Sequence, residues 1–190
     1  EQVGVATGAV YGAYHYTDAL RPKLGHVPLL IPIAWFMMMY CAYVIANLIT
    51  DGQPTGTRGG VGRVMWLALL SGMIMTAWDT VMDPLMSGQA MQAWVWEQGG
   101  DYFNIPVQNF AGWVLTTFTV FMVYRLYERR SAPRPAGRLS AAISGLPVLA
   151  YALMMAPYVI SVEAGALRVI AAFAMGIPAL AAAGRLPKRG

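Results

Sequence analysis

The chain has 190 residues, 57% of them hydrophobic and only 12% charged, and a mean hydropathy of +0.50, which excludes an ordinary soluble domain. One cysteine, Cys41, excludes a disulfide framework, a CxxC redox pair and a cysteine metal cluster; two histidines, His15 and His26, are too few for a membrane di-iron site or multi-haem ligation. The net charge of +4 resides in short loops between apolar stretches, the pattern of membrane topology and not of nucleic-acid binding.

Residues 1–14 are apolar and rich in Gly and Ala, yet at 1.5 Å per residue they cover only ~21 Å of a hydrocarbon core ~30 Å thick. They read as the end of a span. With no initiator Met and no signal-peptide n-region at Glu1, a natural N-terminal part is expected to be missing. Complete spans are predicted at residues 27–50, 64–86, 106–127, 139–161 and 165–186. The expected architecture is therefore an all-α, polytopic transmembrane bundle of five complete spans plus a partial N-terminal one, forming a single domain over 1–190.

Loop charges orient these spans. Arg58, Arg63, Arg125, Arg129, Arg130, Arg134, Arg138, Arg185, Lys188 and Arg189 fall on one side, against Arg21, Lys23 and Arg168 on the other. Residues 51–63, 128–138 and the C-terminus are thereby expected in the cytoplasm, and residues 15–26 and 87–105 outside. The cytoplasmic loops, DGQPTGTRGG and ERRSAPRPAG, have the Gly, Pro and polar composition of connectors.

The first chemical signal in chain order is YHYTDAL at residues 14–20, followed by VPLLIPIAWFMMMY at residues 27–40, with Trp35 inside it. His15 and Asp18 are expected near the outer surface, where a lone His is commonly a hydrogen-bonded structural residue. Pro28 and Pro32 are tolerated near a span's start, where backbone NH groups lack helical partners anyway. The small residues Gly8, Gly12, Gly72, Gly145 and Gly176 permit close helix approach or leave room for a ligand.

The strongest signal is WDTVMDP at residues 78–84. Asp79 and Asp83, four apart on a helix, share a face with Cβ atoms ~6 Å apart. Two like charges there repel, and partial burial penalises both, so the pair is expected to share one proton and to offer an acid and a base together. Pro84 predicts a kink or a helix end at Asp83. The plainer alternative is a solvated or helix-bridging pair near the interface, with Trp78 as an interfacial anchor. Carboxylates within spans are costly, which favours function.

AWVWEQGGDYFNIPVQNFAGW, residues 93–113, carries Trp94 and Trp96 in alternation, then Glu97, a Gly-Gly turn, Tyr102 and Phe103. Asn109 and Trp113 lie four apart on the next helix. Each aromatic alone fits an interface anchor; with Asp79 and Asp83 at the same level they form an aromatic-lined acidic pocket. An aromatic face stabilises a cation by about 0.5 to 2 kcal/mol. Acid plus aromatics suits carbocation chemistry. Glu163 and Arg168 are expected to form an interfacial ion pair.

Taken in order, YHYTDAL with VPLLIPIAWFMMMY, then WDTVMDP, then AWVWEQGGDYFNIPVQNFAGW resemble the integral-membrane carotenoid biosynthesis family that includes bisanhydrobacterioruberin hydratase and the 1,2-hydratases of lycopene and γ-carotene. The resemblance spans about residues 11–127, and the last two spans match only in hydropathy. It implies hydration of the terminal C1,C2 double bond of an acyclic or monocyclic carotenoid, with membrane lipid and other carotenoid-pathway enzymes as partners. It further implies a bacterial or archaeal cytoplasmic membrane. Read from the residues themselves, either Asp79 or Asp83 is the expected acid with its ionised partner guiding the water, and Trp78, Trp94, Trp96, Glu97, Tyr102, Phe103, Asn109, Trp113, His15 and Trp35 are the expected substrate-binding residues. The reaction needs no metal, flavin or nicotinamide cofactor. Two rivals remain: an intramembrane prenyltransferase, which needs Mg²⁺ and a second acidic motif, and a proton-coupled transporter or scaffold subunit using the Asp pair as relay or glue.

Overall fold

In the computed structural model, residues 1–130, 141–161 and 165–186 are described, apart from the side chains of residues 141, 142 and 161. Arg134, Arg138, Glu163, Lys188 and Arg189 lie outside the described residues, and with them part of the loop-charge pattern and the expected partner of Arg168.

Among the described residues five helices are long and apolar enough to cross a membrane: α2 (Leu30–Asp51), α3 (Val61–Met86), α4 (Val107–Arg130), α5 (Ala141–Ser161) and α6 (Gly165–Ala183). A π turn at Ala171–Met175 interrupts α6. At 1.5 Å per residue each is about 28 Å or longer, and in lipid a helix satisfies every interior backbone group within itself. Leu115, Leu153 and Leu180 are exposed on the outside of the bundle, as lipid-facing side chains are. Pro32 falls in the first turn of α2, where no intrahelical donor is lost. Gly52, at φ 65°, closes α2 by donating its N–H to the Leu48 carbonyl.

The helices pack as expected from their small residues at one close crossing in particular. A Cβ on Gly72 of α3 would meet the Val114 carbonyl oxygen of α4 at 3.3 Å, so the glycine is what lets these two backbones approach. α2 packs against α3, α5 and α6 to complete the core.

The N-terminal segment departs from the expected continuous helix end. The first helix, α1 (Gln2–Thr7), stops where Gly8 takes a left-handed conformation, φ 65°. The chain then crosses α4, with Gln108 Nε2 donating to the Ala9 carbonyl at 2.9 Å, and enters strand β1 (Tyr14–Tyr16). The short strands β2 (Lys23–Leu24) and β3 (Val27–Pro28) form a hairpin before α2. Strand β4 (Trp94–Trp96) pairs antiparallel with β1 in the register Tyr14 to Trp96, His15 to Val95 and Tyr16 to Trp94. The two loops expected on the same membrane side are thus joined by backbone hydrogen bonds.

Pro84 neither ends nor breaks α3, which continues to Met86. A proline there removes the N–H that would reach the Thr80 carbonyl. The Tyr102 hydroxyl donates to that carbonyl instead, at 2.8 Å. Tyr102→Phe is expected to leave this carbonyl under-satisfied and cost about 1 kcal/mol, read as a lower midpoint of thermal unfolding in detergent. An unchanged midpoint would show that the helix tolerates the missing donor.

Arg125, counted with the charges in or beside the 128–138 loop, does not face solvent there. It is fully buried within α4. Its guanidinium donates to Asn47 Oδ1 at 2.7 Å, Thr57 Oγ1 at 3.1 Å and Ser71 Oγ at 3.0 Å, and lies 4.5 Å from the centre of the Tyr43 ring. Thr57 and Tyr43 in turn donate to the two oxygens of Glu128, each at 2.6 Å. This network ties the 52–60 loop to α4 at the end of the bundle opposite β1 and β4.

Candidate active site

The two ends of the bundle differ in what they enclose. At the β1/β4 end, a cavity of about 280 Å³ opens among α2, α3, α4, α5 and the two strands. Strand alternation decides which side chains face it. Tyr14 and Tyr16 of β1 and Trp94 and Trp96 of β4 are buried and turned inward, whereas His15 and Val95 are turned outward.

Asp79 and Asp83 are each 1% exposed and line this cavity, one helical turn apart on α3. Asn109 of α4 holds them together: its Nδ2 donates to Asp79 Oδ2 at 2.8 Å and to Asp83 Oδ2 at 2.9 Å. Asp83 Oδ1 accepts from the indole N–H of Trp94 at 2.7 Å and of Trp96 at 3.2 Å. Among the described residues Asp83 therefore accepts three hydrogen bonds from side chains and Asp79 one. Asp79 Oδ1 is buried with no hydrogen-bond partner among the described residues. The asymmetry follows from position, since β4 passes over the last turn of α3 and reaches only the second carboxylate.

Around the carboxylates stands an aromatic wall. Trp35 of α2 and Trp113 of α4 stack at 4.3 Å with 21° between their planes, and Trp78 meets Trp113 edge-on at 6.2 Å. Tyr14 packs on Trp96 at 4.9 Å, and Tyr16 on Trp94 at 5.8 Å. Ring faces around a void stabilise a cation there through their quadrupoles. Leu30 and Met37 of α2 line the same cavity while also being exposed on the helix's outer surface, so the mouth lies on that flank.

Of the residues expected at the site, Asp79, Asp83, Trp78, Trp94, Trp96, Asn109, Trp113 and Trp35 come together at the cavity. Four do not. His15 and Glu97 meet on the outer face of the strand pair, Nδ1 to Oε1 at 3.2 Å, each 56% exposed. Tyr102 supports α3 from outside, and Phe103 is an exposed turn residue at φ 49°. Asp18 is also outside, bonded to Arg21, whose hydrogen bond and charge hold its carboxyl below the usual range.

Nothing in spacing or composition points to Glu1, Tyr11, Met154 or Tyr158, which line the cavity too. Tyr14 and Tyr16 could have been found: YHY and WVW both alternate with period two, the mark of paired strands with one buried face. Gly8, Gly12, Gly72, Gly145 and Gly176 do not line the cavity, and of the two roles open to them Gly72 takes close helix approach. Among the described residues no group of three or more His, Cys, Asp or Glu side chains is placed to hold a metal ion.

Comparison with known proteins adds two findings. Residues 1–182 match the family described as Carotenoid biosynthesis protein. The chain is also similar to a bisanhydrobacterioruberin hydratase from Haloarcula japonica, 31% identical over 125 residues, a match covering 65% of this chain and 39% of that relative. The chain thus spans about two fifths of the length of the curated relative it matches. No solved structure matches it.

Proposed function

Because the chain belongs to the carotenoid biosynthesis family, we propose that it is a carotenoid hydratase that adds water across the terminal C1,C2 double bond of an acyclic carotenoid end. The observation that carries this reading is the Asn109-bridged pair of buried carboxyls inside an aromatic cavity that opens on an outer flank of a transmembrane helix. The similarity to a protein named as a hydratase supports the same reaction class.

Hydrogen-bond supply divides the roles. An ionised carboxylate is a pure acceptor, and Asp83, with three side-chain donors, is furnished as one. Asp79, with one donor and an unpartnered Oδ1, is furnished to carry the proton. Asp79 gives that proton to C2 of the alkene, and the positive charge develops at the tertiary C1. The stacked Trp35 and Trp113, with Trp78, face that charge, and the fixed negative charge of Asp83 stabilises it. Water adds at C1 to give a tertiary alcohol.

Size constrains how the substrate enters. Pockets that enclose whole drug-sized ligands run from about 300 to 1,000 Å³. A cavity of about 280 Å³ holds the end of a long carotenoid and not its whole polyene. The remainder lies along the α2 flank in lipid. Ala34 lines the cavity between Leu30 and Met37, so Ala34→Trp is expected to narrow the mouth and cut turnover roughly 10²-fold, with wild-type thermal stability. Full turnover in that variant would move the entry elsewhere.

The reading is tested by expressing the full-length protein in bacteria that accumulate lycopene or γ-carotene and analysing pigments by liquid chromatography and mass spectrometry. The expected product is heavier by one water per reacted end. Unchanged pigment with folded protein would count against these substrates.

A further inference from the structure

The cavity contains a third carboxylate that the scheme above does not use. Glu1 lines it, and its Oε1 accepts hydrogen bonds from the hydroxyls of both Tyr14 and Tyr16, each at 2.6 Å. Oε2 accepts none from the described residues. Both tyrosines are placed inward by β1, and their rings pack on Trp96 and Trp94, whose N–H groups hold Asp83. One strand pair therefore organises two separate acidic positions in the same void.

We infer that Glu1, held by Tyr14 and Tyr16, is the base that positions and deprotonates the water captured by the carbocation. This rests on the hydratase reading. Water is a donor of two hydrogen bonds and needs an ionised acceptor to point its lone pair at C1. Asp83 is poorly suited, because its oxygens are already occupied by two indoles and Asn109. Glu1 keeps one oxygen open, and Tyr14 and Tyr16 fix its orientation. Burial, then the Glu1 charge, push both phenols well above their usual range, so they remain donors.

The step balances without an added reagent. The π pair of C1=C2 takes the proton from Asp79 and forms the C2–H bond, leaving C1 cationic. A water oxygen lone pair forms the C1–O bond, and the proton it sheds passes to Glu1. Transfer of that proton back to Asp79 through solvent restores the starting state. The net change is one alkene and one water giving one alcohol.

The test runs the full-length protein in D₂O with an acyclic carotenoid and measures both the alcohol and the deuterium content of recovered substrate. In Glu1→Gln, alcohol formation is expected to fall about 10²-fold, while recovered substrate still gains deuterium at its end, because Asp79 continues to protonate C2 reversibly. Tyr14→Phe combined with Tyr16→Phe shifts the same balance in the same direction. Retained deuterium exchange also shows that the variants fold. Hydration at the wild-type rate in Glu1→Gln would overturn the inference, and so would loss of exchange in step with hydration. Wild-type protein giving neither alcohol nor exchange would instead defeat the hydratase reading, and this inference with it.

Discussion

Asp79→Asn is expected to abolish hydration, with a fall of at least ~10²-fold and up to ~10⁴-fold, the range that a positioned general acid supplies. The substitution keeps the size of the side chain and leaves an oxygen to accept from Asn109, so the α3 to α4 bridge survives. In the proposed scheme it removes the proton that Asp79 gives to C2. The stacked Trp35 and Trp113 are untouched, so carotenoid should still copurify with the variant. Pigment analysis and the amount of bound carotenoid, measured on one preparation, separate the two effects. Retained turnover would remove Asp79 from the acid role.

The second large effect is on stability. Arg125→Met is expected to cost about 3 kcal/mol, near the lower figure for breaking a buried charged interaction from one side. The loss leaves Asn47 Oδ1 without its Arg125 donor and takes the cation from the Tyr43 and Phe121 faces. Arg125→Lys should recover only part of this, because an ammonium cannot reach Asn47, Thr57 and Ser71 as a planar fork does. None of these partners lines the cavity, so protein that remains folded at low temperature should hydrate normally. Thermal unfolding in detergent reads the first expectation and pigment conversion the second. A wild-type unfolding midpoint in Arg125→Met would show that the network is dispensable.

The five spans were legible because apolar length is nearly sufficient to specify a helix in lipid, where no other open backbone form satisfies its own hydrogen bonds. The carboxyl pair was legible for the complementary reason, that an acid inside such a span has no cheap structural excuse. Legibility failed where local signals were overridden by distant ones. Pro84 reads as a helix breaker until Tyr102, far away in sequence, supplies the missing donor. Arg125 reads as a charge at the end of a span until Asn47, Thr57 and Ser71 from other parts of the chain gather around it. His15 and Glu97 lie beside the correct residues in sequence and on the wrong face of a strand, since one step along β1 or β4 reverses the side chain.

That same strand pair explains how a helical bundle builds an acid site at its edge. Helices α2, α3, α4 and α5 supply the cavity walls and the mouth, but Asp83 is held by indoles from β4 and Glu1 by phenols from β1. Two short extended segments, each with an aromatic at every second residue, close the cavity at that end of the bundle. In the proposed scheme the carbocation forms between the mouth on the α2 flank and the cap made by the strand pair, where an apolar alkene and a water molecule can meet.

The most direct test of this account is to incubate the purified full-length protein in lipid nanodiscs with an acyclic carotenoid in H₂¹⁸O, under air, without added cofactor. The account predicts an alcohol carrying one ¹⁸O for each hydrated end, absent in Asp79→Asn. Product oxygen that came from O₂, or an ¹⁸O-labelled alcohol still formed at the wild-type rate by Asp79→Asn, would contradict it.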